Sequence, residues 1–164
     1  MKTGLKFLLF GASFLMMLSS KAQNFSGNDI RNACNDLVPE LNLQNKILFI
    51  NVWQSSDLAS RENNKEFLRV SSIYEKAKLK NGPAGIVFIN LSIDNELYNW
   101  IIATKKDSLV SNYNLENTSG KYKSLANYFD GKTGNMVIGS DGTLITRDIK
   151  KEDCFNLFKS FITR

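Results

Sequence analysis

The sequence predicts an α/β fold, a three-layer α/β/α sandwich around a central mixed sheet, and three observations carry that expectation. Two nearly continuous runs of apolar, β-branched and aromatic residues, 46–53 and 85–92, have the composition of strands covered on both faces. Each is followed by apolar residues at helical spacing, which makes a parallel strand-helix-strand unit. Near the end, two short strands flank Ser140-Asp141-Gly142 as in a hairpin, and an amphipathic helix closes the chain. A parallel unit, a hairpin and a terminal helix need cover on both faces of one sheet.

Taken in order, the chain opens with cations at Lys2 and Lys6 and a mostly apolar stretch from Phe7 to Leu18. Ser20 and Ala22 then place small residues at the positions a peptidase cutting after Ala22 requires. Residues 1–22 read as a removable signal peptide; an uncleaved anchor is the alternative, but the apolar run is shorter than the roughly 20 residues of a spanning helix. Removing 22 of the 164 residues leaves 142, enough for one hydrophobic core. Residues 23–45 form a lead-in with an N-terminal helix, and residues 46–164 form the main domain.

Within the lead-in, Ile30, Ala33, Cys34, Leu37 and Val38 share a helical stripe that Pro39 ends. The run 46–53 belongs at the centre of the sheet. Between Ser60 and about Lys80, Phe67, Val70, Ile73, Tyr74 and Ala77 mark a long amphipathic helix stopped by Asn81-Gly82-Pro83. After the strand at 85–92, a helix opening at Asp94 carries Leu97, Trp100 and Ile101 on its stripe. Residues 107–119 are polar without a clear period, and 122–129 suit a short helix. The hairpin strands are 135–139 and 143–148, and the last helix, 150–164, aligns Cys154, Leu157, Phe158, Phe161 and Ile162.

Composition removes several chemistries. The formal charge of +5 falls to +2 once Lys2, Lys6 and Lys21 leave with the signal, so the basic balance is partly a targeting feature and no nucleic-acid partner is expected. Without histidine, Ser-His-Asp or Cys-His nucleophiles and His-rich metal sites are unavailable. The two cysteines, Cys34 and Cys154, are too far apart to form a local Cys-x-x-Cys pair, although an exported compartment permits a disulfide between them. No repeat or low-complexity tract is present.

The run Phe-Ile-Asn-Val-Trp-Gln-Ser-Ser-Asp-Leu-Ala-Ser-Arg, residues 49–61, resembles the strand and loop of exported thioredoxin-like thiol-disulfide oxidoreductases, whose pattern ends in Cys-x-x-Cys-Arg. Leu91-Ser92-Ile93-Asp94 with Trp100 and Lys105-Lys106-Asp107 resembles the second strand and following helix of that family, and Met136-Val137-Ile138 through Asp141-Gly142 its terminal hairpin. The resemblance spans residues 46–163 and implies a thioredoxin-like fold. It also implies a degenerate site. In the family the first cysteine sits at a helix N-terminus that lowers its pKa, and the second resolves the mixed disulfide; here those positions are Asp57 and Ser60, and neither side chain can form a disulfide. Thr133 falls where the family has a cis-proline, and a trans peptide is expected there because a non-proline cis bond costs about 2.5–4 kcal/mol. Lys65 replaces a helix-kinking proline and implies a straighter helix.

Read from the residues, Asp57 and Ser60 are helix-capping types, against the sharper alternative of Asp57 as a catalytic acid or metal ligand. Cys34 and Cys154, on apolar stripes, are buried structural thiols, and their pairing is disfavoured because the first and last helices of such a fold lie on opposite faces. Trp53 and Trp100 are core or near-core aromatics, with a ligand platform as the alternative. Arg61 is a solvated surface cation or an anion contact at the helix start. No metal or cofactor is expected.

Two functions follow. One is a non-redox binding module of the periplasm or secreted space, with no stable membrane span after signal removal, holding a protein or peptide partner on a rim of Trp53, Asp57, Ser60, Arg61 and Thr133. The other is an oxidoreductase acting through Cys34, Cys154 or a partner's thiols; a structural subunit of an envelope assembly is not separable from the first by sequence. N-terminal sequencing of the exported protein is expected to begin at Gln23, and a start at Met1 would refute the processing.

Overall fold

The computed structural model describes residues 25–74, 76–80, 85–109 and 113–162; the expected signal peptide and the Asn81-Gly82-Pro83 stop lie outside the described residues. Five strands form one sheet: β1 (Ile47–Trp53), β2 (Ile86–Ser92), β3 (Asn114–Glu116), β4 (Gly134–Ile138) and β5 (Leu144–Arg147). Their order is β3-β2-β1-β4-β5. β1 pairs in parallel with β2, Ile47 beside Ile86, and antiparallel with β4, Leu48 beside Ile138. β2 and β3 are parallel and β4 and β5 antiparallel, so the sheet is mixed as expected.

Every side chain of β1 is buried, and the two-residue period of a strand divides them between two layers. Leu48, Ile50 and Val52 pack with Ile30 and Cys34 of α1 (Gly27–Leu37) and Leu125 of α4 (Lys123–Asn127). Ile47 and Phe49 pack with Phe67 and Val70 of α2 (Leu58–Tyr74) and with Cys154 and Phe158 of α5 (Lys151–Phe161). Trp53, on that same side, meets Ala103 of α3 (Leu97–Lys106). The two cysteines are therefore free and buried in opposite layers.

α1 begins at a capping box, in which Ser26 Oγ accepts from Asp29 N at 3.2 Å and Asp29 Oδ2 accepts from Ser26 N at 3.0 Å. Its Arg31 donates from Nη1 to the Leu43 carbonyl at 2.8 Å and from Nη2 to the Lys46 carbonyl at 2.8 Å and the Gly139 carbonyl. One side chain thus ties α1 to the entry of β1 and to the β4–β5 hairpin. Gly27 abuts the Gly142 carbonyl so closely that a Cβ would collide with it.

Four local expectations differ from the structure. α2 ends at Tyr74 instead of continuing to Lys80; Leu79 bridges to Ile162, and Lys80 N donates to the Phe161 carbonyl at 2.9 Å. Ile73 is exposed because the buried stripe is Phe67, Val70, Ser71 and Tyr74, which places Ile73 on the far side. α3 opens at Leu97, with Asp94 buried ahead of it, and Leu97 faces solvent. The polar stretch 107–119 contains β3, held by a ladder of amides on one rung of the sheet. Asn51 Nδ2 donates to Asn90 Oδ1 at 2.7 Å and to Asn64 Oδ1, and Asn90 Nδ2 reaches Asn114 Oδ1 at 3.5 Å. None of the described helices is long and apolar enough to cross a membrane.

Phe158 is fully buried, with ring centroids 5.6 Å from Phe49 and 5.0 Å from Phe88. Phe158→Ala is expected to destabilise the domain by about 3–5 kcal/mol in denaturant titration, whereas Ile73→Ala should change it by less than about 0.5 kcal/mol.

Candidate functional site

β1 ends at Trp53, and the chain turns through residues 54–57 into α2. Asp57 closes the turn, its N–H donating to the Gln54 carbonyl at 3.0 Å. One carboxylate oxygen, Oδ1, accepts from Ala59 N at 3.0 Å and Ser60 N at 3.2 Å, satisfying two of the free N–H groups at the start of α2. The other, Oδ2, accepts from Thr133 Oγ1 at 3.0 Å. Ser60 is buried; its Oγ accepts from Gln54 N at 3.3 Å and donates to the Asp57 carbonyl at 2.9 Å. The three positions that the resemblance assigns to the redox cysteines and the proline thus form one hydrogen-bonded unit. No cis peptide bond occurs among the described residues.

Two rim candidates are not open to a partner, and Trp53 takes the core place read from the residues. Trp53 is 0% exposed, because its place in the strand alternation points it under α2 and α3; no surface partner reaches it. Arg61 is neither solvated nor available to an anion. Its Nε lies 2.6 Å from Asp107 Oδ2 and its Nη2 2.8 Å from Asp107 Oδ1, a two-pronged pair in which the Asp107 side chain is only 4% exposed. Asp107 caps the C-terminal end of α3, where the helix dipole disfavours a carboxylate. The hydrogen bonds from Arg61 offset that and hold the Asp107 carboxyl below the usual carboxylate range.

Asp94 is a further residue that the sequence pattern missed, since it reads there as a helix opener. It is buried and accepts from Ser55 N at 3.0 Å, Ser55 Oγ at 2.6 Å and Ser92 Oγ at 2.7 Å, bolting the loop to the end of β2. The signal for it was its place just past a buried strand, opposite the serines of the loop.

The loop separates two grooves. One, of about 320 Å³, is lined by Asp57, Ser60, Asn63, Thr133, Asn135 and Glu152 among others; the second, of about 330 Å³, lies between Ser55, Ser56 and Arg61 and the α3 residues Asn99, Ile102 and Lys106. Apolar side chains stand exposed nearby, Leu58 at 72% and Tyr98 at 71%. Neither cysteine lines these grooves, and both are fully buried. Burial pushes each thiol up to about 12, so neither supplies thiolate at neutral pH. Among the described residues no group of three or more acidic or thiol ligands could hold a metal ion.

The sequence matches no protein-family model and no curated protein. Solved structures do match it. A thioredoxin-like protein from Parabacteroides distasonis is 22% identical with a TM-score of 0.56, over 72% of this chain and 82% of that one. The thioredoxin domain of a thiol-disulfide oxidoreductase from Bacteroides vulgatus is 14% identical with a TM-score of 0.60, over 75% and 84%. A thiol-disulfide oxidoreductase from Bacteroides fragilis is 24% identical with a TM-score of 0.54, over 71% and 82%. The fold is thioredoxin-like.

Removing one partner of the Arg61–Asp107 pair strands a largely buried charge. Asp107→Asn is expected to cost about 3 kcal/mol at pH 7 in denaturant unfolding. Because the folded-state carboxyl is depressed, the stabilisation is complete above the ordinary value of about 3.9 and is lost as pH falls through the folded value. The gap between wild type and variant should therefore narrow below about pH 4.

Proposed function

We propose that this chain is an exported thioredoxin-fold protein of the periplasm or secreted space that binds a peptide or protein partner without redox chemistry. One observation carries the reading: the carboxylate at the start of α2 is committed to helix N–H groups and to Thr133, while both thiols of the described chain are sealed in the core. A site that performs thiol exchange needs an accessible thiolate at the helix start, and Asp57 supplies a fixed acceptor instead. What the surface does offer is two grooves, one of them lined by Ile102, with exposed Leu58 and Tyr98 adjacent in sequence to lining residues, the mixture of apolar anchors and polar walls that suits an extended peptide.

The competing reading, an oxidoreductase working through Cys34 or Cys154, is opposed by their complete burial and raised pKa. Mature protein assayed for disulfide reduction with dithiothreitol is expected to show no turnover above background, and its thiols to titrate only after denaturation. Turnover that disappears in Cys34→Ser or Cys154→Ser would overturn the proposal. Binding is tested on immobilised protein with an envelope peptide mixture: retention is expected, and Leu58→Asp is expected to weaken it about tenfold or more.

A further inference from the structure

At the end of β1 opposite Asp57, Arg31 is buried without an acid beside it. The residue is 9% exposed, its Nη groups donate only to backbone carbonyls, and its Nε is buried with no partner. Carbonyl dipoles satisfy hydrogens but leave the unit charge uncancelled. Among the described residues no carboxylate lies within ion-pair distance of it, and Asp141 acts only from further away. Burial accordingly pushes the guanidinium below its ordinary value.

Arg31 forms part of the wall of an open cleft of about 620 Å³ that also includes Asn35, Asn42, Gln44, Asn45 and Ser140. No acidic residue lines it. The four side-chain amides are exposed and donate to no described residue, so unengaged neutral donors line the cleft beside a cation that no salt bridge neutralises. Asn42 and Asn45 hold left-handed backbone, with φ of 42° and 59°, in the loop that carries them.

We propose that this cleft is a second binding site, for the carboxylate of a small polar ligand such as an acidic sugar or an acylated amino acid. The single positive charge matches a monoanion, and amides that both donate and accept suit the hydroxyl or amide groups of the ligand's remainder. The site stands apart from the grooves around Asp57 and does not depend on what they bind.

The test is an amide-resolved NMR titration of the mature protein at pH 7 with glucuronate and acetate, with glucose, acetamide and chloride at equal ionic strength as controls. Saturable shifts confined to residues 35 and 42–45 and to Ser140 are expected for the two carboxylates, glucuronate the tighter, with a Kd of about 1 mM. Ser140→Asp, a change at an exposed turn position that leaves Arg31 untouched, is expected to weaken binding about tenfold or more. No saturable shift up to about 50 mM, equal shifts with the neutral or chloride controls, or unchanged affinity in folded Ser140→Asp would each overturn the proposal.

Discussion

β1 is enclosed on both faces by helices and on both edges by neighbouring strands, and that enclosure organises the rest of the molecule. Because alternate side chains leave a strand in opposite directions, a fully buried β1 requires one helical layer for Leu48, Ile50 and Val52 and another for Ile47 and Phe49. Asn51 is the polar exception in that run. A buried amide left unpaired costs about 1–3 kcal/mol, and Asn51 avoids that by donating to Asn64 of α2 and Asn90 of β2. The same rung continues to Asn114, so a polar requirement in the central strand also selects the register of an edge strand that has little apolar content of its own.

The two ends of β1 present different chemistry. At its C-terminal end the chain must turn sharply into α2 beside a buried tryptophan, and the turn is secured by short polar contacts: Asp94 beneath Ser55, Ser60 beneath Gln54, Asp57 across to Thr133. Two of these contacts use residues 57, 60 and 133, the positions that the resemblance assigns to the thiols and the proline, and all three hold the loop as a fixed rim. The Arg61–Asp107 pair then sews α2 to α3, so the groove between them has a rigid wall.

At the N-terminal end of β1, Arg31 plays the corresponding fastening role for α1, reaching the loop before the strand and the hairpin after it. The fastening is made with carbonyls alone. A desolvated cation held in that way has no salt bridge of its own, and the cleft it helps to wall is lined by side-chain amides and no acid.

The architecture was legible in the sequence because it rests on local patterns. The β-branched runs announced two central strands, Ser140-Asp141-Gly142 announced the hairpin, and the spacing of Cys154 and Phe158 announced the last helix. The absence of cysteine at residues 57 and 60 was equally plain, since it is a matter of which atoms are present there. What the sequence could not show were pairings between residues far apart in the chain. Arg61 looked like a free cation because nothing near it in sequence marks Asp107 as its partner, and Trp53, read as a core aromatic, kept a rim alternative because strand parity relative to α3 is not a local property. β3 went unseen for the same reason: three residues of modest propensity become a strand only when Asn90 stands beside Asn114. Helical and strand periods are set by backbone geometry within a few residues, whereas the partners of buried charges and amides are decided by which surfaces the completed fold brings together.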